Sequence, residues 1–352
     1  MPEMLTESQM VALVGVFGGV LLGLAARLGR FCTLGAIEDM LYGGSGTRLR
    51  MWVLAIGTAV IGSFALMGFG LLDAGQTYYL SVRWMPLASI VGGLMFGYGM
   101  ALAGNCGYGA VARLGGGDMR AFVIVLVMGI ATYVVLAGPL APLRDMLFHQ
   151  TPVTVETPPG LAHHAAALTG LPVPWIGATI GVAICALALS SSALRADGKA
   201  MFWSVVVGLA VLSGWAGTQL IYDNGFETLP VVSHSFSAPL GESILFAMTG
   251  SARALSFGVG SVAGVWLGAF AGSLIKGHFR WEACEDPREL RRQILGAAIM
   301  GAGAVIAIGC TIGQGLSAFS VLAFSAPVTM LAIFAGAALG LRQLIEGFSP
   351  AE

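Results

Sequence analysis

Gly104-Asn105-Cys106-Gly107-Tyr108-Gly109 interrupts an apolar segment that runs from about Leu87 to Met119. In a helix interior each glycine costs roughly 1 kcal/mol relative to alanine. Three of them around a polar residue and a cysteine predict that the helix breaks here. A second copy stands near the other end of the chain, Gly309-Cys310-Thr311-Ile312-Gly313-Gln314-Gly315, and a looser third near the start, Gly29-Arg30-Phe31-Cys32-Thr33-Leu34-Gly35. Each break carries one cysteine.

The surroundings of the breaks say where they lie. Of 352 residues 57% are hydrophobic and 10% charged, against about 25% charged in a soluble domain, so the chain belongs in a lipid bilayer. Glycine accounts for 52 residues, many at small-xxx-small spacing such as Gly15, Gly19 and Gly23 or Gly93 and Gly97. That spacing lets helices approach closely in lipid. The net charge of -1 is uninformative about nucleic acid, and without a basic tract or a stacking-aromatic pattern no nucleic-acid partner is expected. The first apolar run, Met10 to Leu28, has Arg27 and Arg30 at its end and no basic region before it, so a cleaved signal peptide is not expected. Five cysteines with no C-x-x-C pair indicate neither a disulfide framework nor a zinc site. No metal or cofactor is expected.

Apolar windows of spanning length predict an all-α polytopic membrane protein with nine spans, at about 9–29, 51–72, 87–105, 119–140, 173–193, 201–217, 255–275, 293–309 and 325–342. Four pieces too short to cross, about 33–42, 107–117, 242–250 and 311–320, read as intramembrane half-helices, and all but 242–250 follow a cysteine break. Twelve of the seventeen basic residues, among them Arg48, Arg113, Arg120, Lys276 and Arg292, fall on one side of this arrangement. Arg83, Arg144 and Arg253 fall on the other, with Arg27 and Arg30 at the first break. The positive-inside rule then puts the amino terminus outside and the carboxyl terminus in the cytoplasm, and makes Thr151 to Pro174 an external loop.

The segments around Cys106 and Cys310 resemble each other but run in opposite directions through the membrane. This predicts an inverted repeat: residues 1–172, a linker span within 173–200, and residues 201–352. On that alignment the Cys32 break pairs with Ser213-Gly214-Trp215-Ala216-Gly217-Thr218. Broken helices meeting near the midplane characterise many secondary transporters.

A half-helix that starts after Cys106 or Cys310 leaves backbone N–H groups unpaired and points its positive end at the membrane centre. Gly107 and Gly309 let the backbone come close to a solute, while Asn105, Thr33, Thr311 and Gln314 add neutral donors. The cysteines add polarisable sulfur and a weak S–H donor. Such a lining suits a small sulfur-containing anion. Arg30, with Arg27 on the same face, either snorkels to a headgroup or draws anions to the pore. Cys185 reads as a packing residue and Cys284 as an incidental thiol. Glu38 and Asp39 read as solvated, His163 and His164 as surface, and Asp118 as an N-cap.

The strings GRFCTLGAIEDM (29–40), LAGNCGYGAVARLGGGDMR (102–120) and IGCTIGQG (308–315) resemble the YeeE/YedE family of sulfur-transport membrane proteins, nearly end to end. The resemblance implies an hourglass-shaped inner-membrane transporter of nine spans and four short helices, not an enzyme. It further implies that Cys32, Cys106 and Cys310 line a constriction and relay thiosulfate through S–H hydrogen bonds, and that a cytoplasmic TusA-like sulfurtransferase is a possible partner. Glu38 stands where the family often has a cation, so another sulfur species or a selenium compound stays open as substrate. A membrane thiol oxidoreductase or redox-relay subunit is the alternative, and it requires a resolving thiol near each reactive one.

Overall fold

The computed structural model describes residues 6–149, 158–284 and 286–347. The helices in chain order are α1 (Glu7–Leu28), α2 (Thr33–Leu41), α3 (Thr47–Gly68), α4 (Tyr78–Ser81), α5 (Pro86–Ala103), α6 (Gly107–Gly115), α7 (Met119–Leu136) and α8 (Ala141–Leu147). They continue with α9 (Leu161–Thr169), α10 (Val173–Leu189), α11 (Ser192–Ala196), α12 (Gly198–Asn224), α13 (Ala238–Thr249), α14 (Phe257–Ile275), α15 (Pro287–Ile306) and α16 (Ser325–Glu346). Residues 311–320 add a short helix with a π-turn at Gly313–Ala318. Among the described residues there is no strand, only three isolated bridges. Part of the expected external loop, residues 151–157, lies outside the described residues.

Seven helices (α1, α3, α5, α7, α12, α14 and α16) are long and apolar enough to cross a membrane, among the described residues. The other two expected spans are helices as well. However, α10 has 17 residues, and α15 begins with Arg288, Glu289, Arg291 and Arg292. Starts are marked by local chemistry. Thr6 and Gln9 form a reciprocal capping box on α1, and Asp118 caps α7 by accepting from the Arg120 N–H, as its sequence position predicts.

One expected break does not exist. Ser213 to Thr218 lie inside α12, which runs uninterrupted from Gly198 to Asn224. Gly214 and Gly217 are packing positions instead, pressed against Ser233 and Val14. Glycine spacing alone cannot separate a hinge from a contact face. The corresponding interruption comes later, where the extended Ser233-His234-Ser235-Phe236-Ser237 run leads into α13.

The frame is a set of glycine seams. On α1, a Cβ at Gly15, Gly19 or Gly23 would collide with the carbonyl oxygens of Phe257, Ser261 and Val265 on α14. Reciprocally, Gly260, Gly264 and Gly268 face the carbonyls of Ala12, Val16 and Val20. The α5–α16 seam repeats the device with Gly97 against Ile333 and Gly336 against Leu94. In lipid, where apolar burial drives helices together weakly, such backbone approach supplies the association.

Helix pairs fall into matching sets. α1 packs on α14 and α12 on α3; α5 packs on α16 and α7 on α15; α6 packs on α14 and the 311–320 segment on α3. Each short helix is thus held between long ones. A Gly19→Val substitution should strongly lower the thermal unfolding midpoint of the purified protein in detergent, since overpacking costs about 1–3 kcal/mol. Gly198→Ala, where a Cβ meets nothing within 4 Å, should leave the midpoint unchanged or add about 0.4–1 kcal/mol.

Candidate functional site

All three cysteine breaks share one backbone device. Two residues before each cysteine the chain enters the left-handed region, at Arg30 (φ 54°), Gly104 (φ 76°) and Ile308 (φ 56°). The cysteine then starts a new helix. The carbonyls of Cys32, Cys106 and Cys310 accept from the N–H groups of Ala36, Ala110 and Gln314 at 3.1, 2.8 and 2.8 Å. Gly104 takes this conformation freely, but for Arg30 and the β-branched Ile308 it costs on the order of 1–3 kcal/mol. Strain held beside the same residue type at two separate breaks points to a functional constraint. Gly309 turns at φ 151°, where a side chain would also be strained.

Two of the sulfurs act as helix caps. The Gly109 N–H donates to Cys106 Sγ at 3.4 Å, and the Gly313 N–H to Cys310 Sγ at 3.4 Å. Cys310 also accepts from the Phe236 N–H at 3.2 Å and has the Ser235 hydroxyl at 3.8 Å. With their lone pairs engaged, these thiols can address a ligand through the S–H hydrogen. Cys32 has no such cap and is half-buried, whereas Cys106 and Cys310 are buried. Cys32 and Cys310 both lie close enough to Cys106 to interact with it electrostatically, and the Thr311 hydroxyl lies beside the Cys106 thiol.

Around these thiols the polar groups are unpaired. The Thr33 hydroxyl, both side-chain polar atoms of Asn105, and Gln314 Oε1 are buried without a hydrogen-bond partner, and the Thr311 hydroxyl has no nitrogen or oxygen partner and only the Cys106 thiol beside it. An unsatisfied buried polar group costs about 1–3 kcal/mol, so several at one place indicate a polar ligand site. Gln314 Nε2 donates to the Ala307 and Ile308 carbonyls at 2.9 and 3.0 Å, closing the broken end of α15. Gly107 serves close approach, because a Cβ there would strike the Phe236 carbonyl.

A cavity opens on either side. One, about 330 Å³, exposes Cys32, Asn105 and Gly109 and is ringed by Arg27, Arg30, Arg48, Arg113 and Lys276 with His278; no carboxylate lines it. The other is narrow, about 20 Å³, with Gln314 and Tyr79 at its wall and Arg83 as its cation. In the cationic cavity Arg27 Nε donates to Ser273 at 2.7 Å, and Lys276 Nζ donates to the Arg27 carbonyl at 2.6 Å. Burial first, then Arg30, Arg27 and Lys199, hold the Lys276 ammonium below the ordinary lysine range.

Of the residues expected at the site, Arg30, Cys32 and Asn105 line the cationic cavity and Gln314 lines the narrow one; Cys106, Cys310 and Thr311 are buried, and Gly107 and Gly309 adjoin the cysteines in the chain. Residues outside the motifs join them. The Tyr79 hydroxyl lies by Ser235 and Gly313, and Ser235 and Phe236 reach Cys310 from the run before α13. The Ser-His-Ser-Phe-Ser run ahead of Ala238-Pro239 was a readable helix-start signal, but nothing local marks Tyr79. The remaining assignments agree with the geometry except for His163, expected at the surface but half-buried with its Nδ1 unpaired. Glu38 is exposed and Asp39 pairs with Arg48 at 3.1 Å. Cys185 packs on Gly57 of α3, and Cys284 is exposed. His164 is exposed, and its neighbour His163 is half-buried.

Residues 28–339 match the family described as Sulphur transport. The thiosulfate transporter TsuA of Escherichia coli (strain K12) is 27% identical over 321 residues, covering 86% of this chain and 86% of that protein. The thiosulfate transporter TsuA of Spirochaeta thermophila is 26% identical over 319 residues, covering 88% of this chain and 92% of that protein. Together with the apolar helices, the family match over most of the chain makes this a multi-pass membrane protein belonging to the sulphur transport family, whose members are transporters and not enzymes.

Proposed function

We propose that this protein takes up thiosulfate, or a closely related sulfur-containing anion, across a bacterial inner membrane. The observation that carries the reading is the convergence of three cysteine-started helices on buried hydroxyl and amide groups without partners. Backbone N–H groups and the positive ends of the half-helices favour an anion. The thiols Cys310, Cys106 and Cys32, in that order from the narrow cavity to the cationic one, suit its sulfur. They relay it by S–H hydrogen bonds without redox turnover. Arg30 belongs to the receiving side.

The membrane arrangement follows the same reading. Nine spans and four half-helices form an hourglass, with residues 1–172 and 201–352 as inverted repeats and 173–200 as the linker. Supporting the repeat, helix contacts occur in matching pairs, α1–α14 with α12–α3 and α5–α16 with α15–α7. Supporting the orientation, the connection before α7, flanked by Arg113 and Arg120, adjoins the Lys276- and Arg280-bearing connection before α15 through Asp118 and Glu282, and Arg50 at the start of α3 reaches the end of α10 at Leu187. The cationic cavity then faces the cytoplasm, with the amino terminus outside and the carboxyl terminus inside. A TusA-like sulfurtransferase is a candidate acceptor there.

Thiosulfate-dependent growth of a sulfur auxotroph lacking its own uptake systems tests the function. Growth supported by the wild-type chain and abolished by Cys106→Ala or Cys310→Ala is expected; uptake that survives both variants would overturn the role given to these thiols. A Cys106–Cys310 disulfide trapped during turnover would favour the redox relay instead. Thr311→Val tests the hydroxyl beside Cys106. Relieved of a buried hydroxyl without a nitrogen or oxygen partner, the ligand-free variant should unfold at the same temperature as the wild type or higher, by up to about 1–3 kcal/mol, while thiosulfate uptake falls.

A further inference from the structure

The cationic cavity is more than an exit route. Four of its cations, Arg27, Arg30, Arg113 and Lys276, form no ion pair with a described carboxylate; Arg48 is matched by Asp39 at 3.1 Å, and Asp118 and Glu282 act on Arg27 from the margin. Burial first, and then the charges of Arg30, Arg27 and Lys199, depress the proton affinity of Lys276. Two nine-residue half-helices, α2 and α6, begin at its floor, where Cys32 and Asn105 line the wall. Asn105 is 2% exposed, and neither its oxygen nor its nitrogen has a partner. At about 30 Å³ per water, 330 Å³ holds a dianion together with part of its hydration shell.

Its chemistry differs from that of the constriction. Guanidinium, ammonium and amide donors bind any tetrahedral oxyanion through oxygen, and apart from Cys32 nothing here prefers sulfur. The narrow cavity, with Arg83 as its cation, offers no comparable site. A dianion arriving from the constriction would therefore be held most tightly at the last step, unless another oxyanion from the cytosol takes its place.

We infer that the cavity ringed by Arg27, Arg30, Arg113 and Lys276 is a separate binding site for a tetrahedral oxyanion dianion of the sulfate class, filled from the cytosolic face, whose occupancy holds back release through Cys32. The sidedness rests on the orientation argued above; the site itself does not. It makes transport answer to the oxyanion content of the cell, because filled vestibules slow further uptake.

Equilibrium binding of radiolabelled sulfate to the purified full-length protein in detergent, in chloride at roughly physiological ionic strength, tests the site. Saturable binding is expected in the wild type and in Cys106→Ala, with the dissociation constant raised at least about tenfold in the Arg30→Gln/Arg113→Gln double variant. Arg113→Lys, which keeps the charge, should stay close to wild type and guards against misreading a folding defect. No saturable binding in the wild type, displacement by equivalent chloride, or loss with Cys106→Ala but not with the arginine variant would each overturn the inference. In right-side-out membrane vesicles, sulfate in the lumen should slow thiosulfate entry while the same sulfate outside does not; the reverse would overturn the sidedness. Thiosulfate transport without sulfate binding removes this site alone. Sulfate binding without thiosulfate transport leaves the site standing and removes the transport reading.

Discussion

A helix that begins inside a membrane leaves amide N–H groups facing a medium with no water to receive them. Most of this structure answers that constraint. At Cys106 and Cys310 the sulfur takes up the N–H three residues ahead, a role that serine or aspartate fills at soluble helix starts. The left-handed residue two positions earlier turns the chain between the two helices. Asn105, Thr33 and Gln314 keep buried polar atoms unpaired after that.

Strain of this kind persists only where the surroundings over-determine it. The glycine seams between α1 and α14 and between α5 and α16 form stiff pairs from which the short helices hang. Hydrogen bonds then fix the Cys310 break. Trp215 Nε1 donates to Ser320 at 2.9 Å, and the Ser317 hydroxyl to the His234 carbonyl at 2.7 Å, tying the π-turn to α12 and to the run before α13. On the other side Phe31 stacks on Trp52 at 4.6 Å, holding the Cys32 turn against α3. A π-turn inside a helix commonly marks a functional site, and here it bears Gln314.

The electrostatic layout is as one-sided as the helix frame is symmetric. Matching helix pairs surround the constriction, yet one mouth carries Arg27, Arg30, Arg48, Arg113 and Lys276 and the other Arg83. In a low-dielectric environment such a difference makes the cationic mouth the more favourable one for an anion. The thiols between the mouths contribute polarisability without charge.

Much of this was legible in the chain. Hydropathy located every long helix, because in lipid each helix must satisfy its own backbone, but it ended α12 short at 217 rather than Asn224 and started α15 late at 293 rather than Pro287. The cysteine breaks were readable because glycine, a polar residue and cysteine are all poor choices for a lipid-buried helix interior. Local pattern also predicted the Asp118 cap and the short helices at 33–41 and 107–115. It placed the fourth short helix at 242–250, where α13 lies, but paired the Cys32 break with Ser213 to Thr218, where Gly214 and Gly217 instead serve contacts with Ser233 and Val14 that no local pattern records. Tyr79, Ser235 and the ring of cations come from segments as far apart as Arg27 and Lys276, and only packing could bring them together. The sequence by itself determined where the helices must stop. Tertiary structure decided what the stops face, because a partner for an unpaired donor is a matter of distance in space.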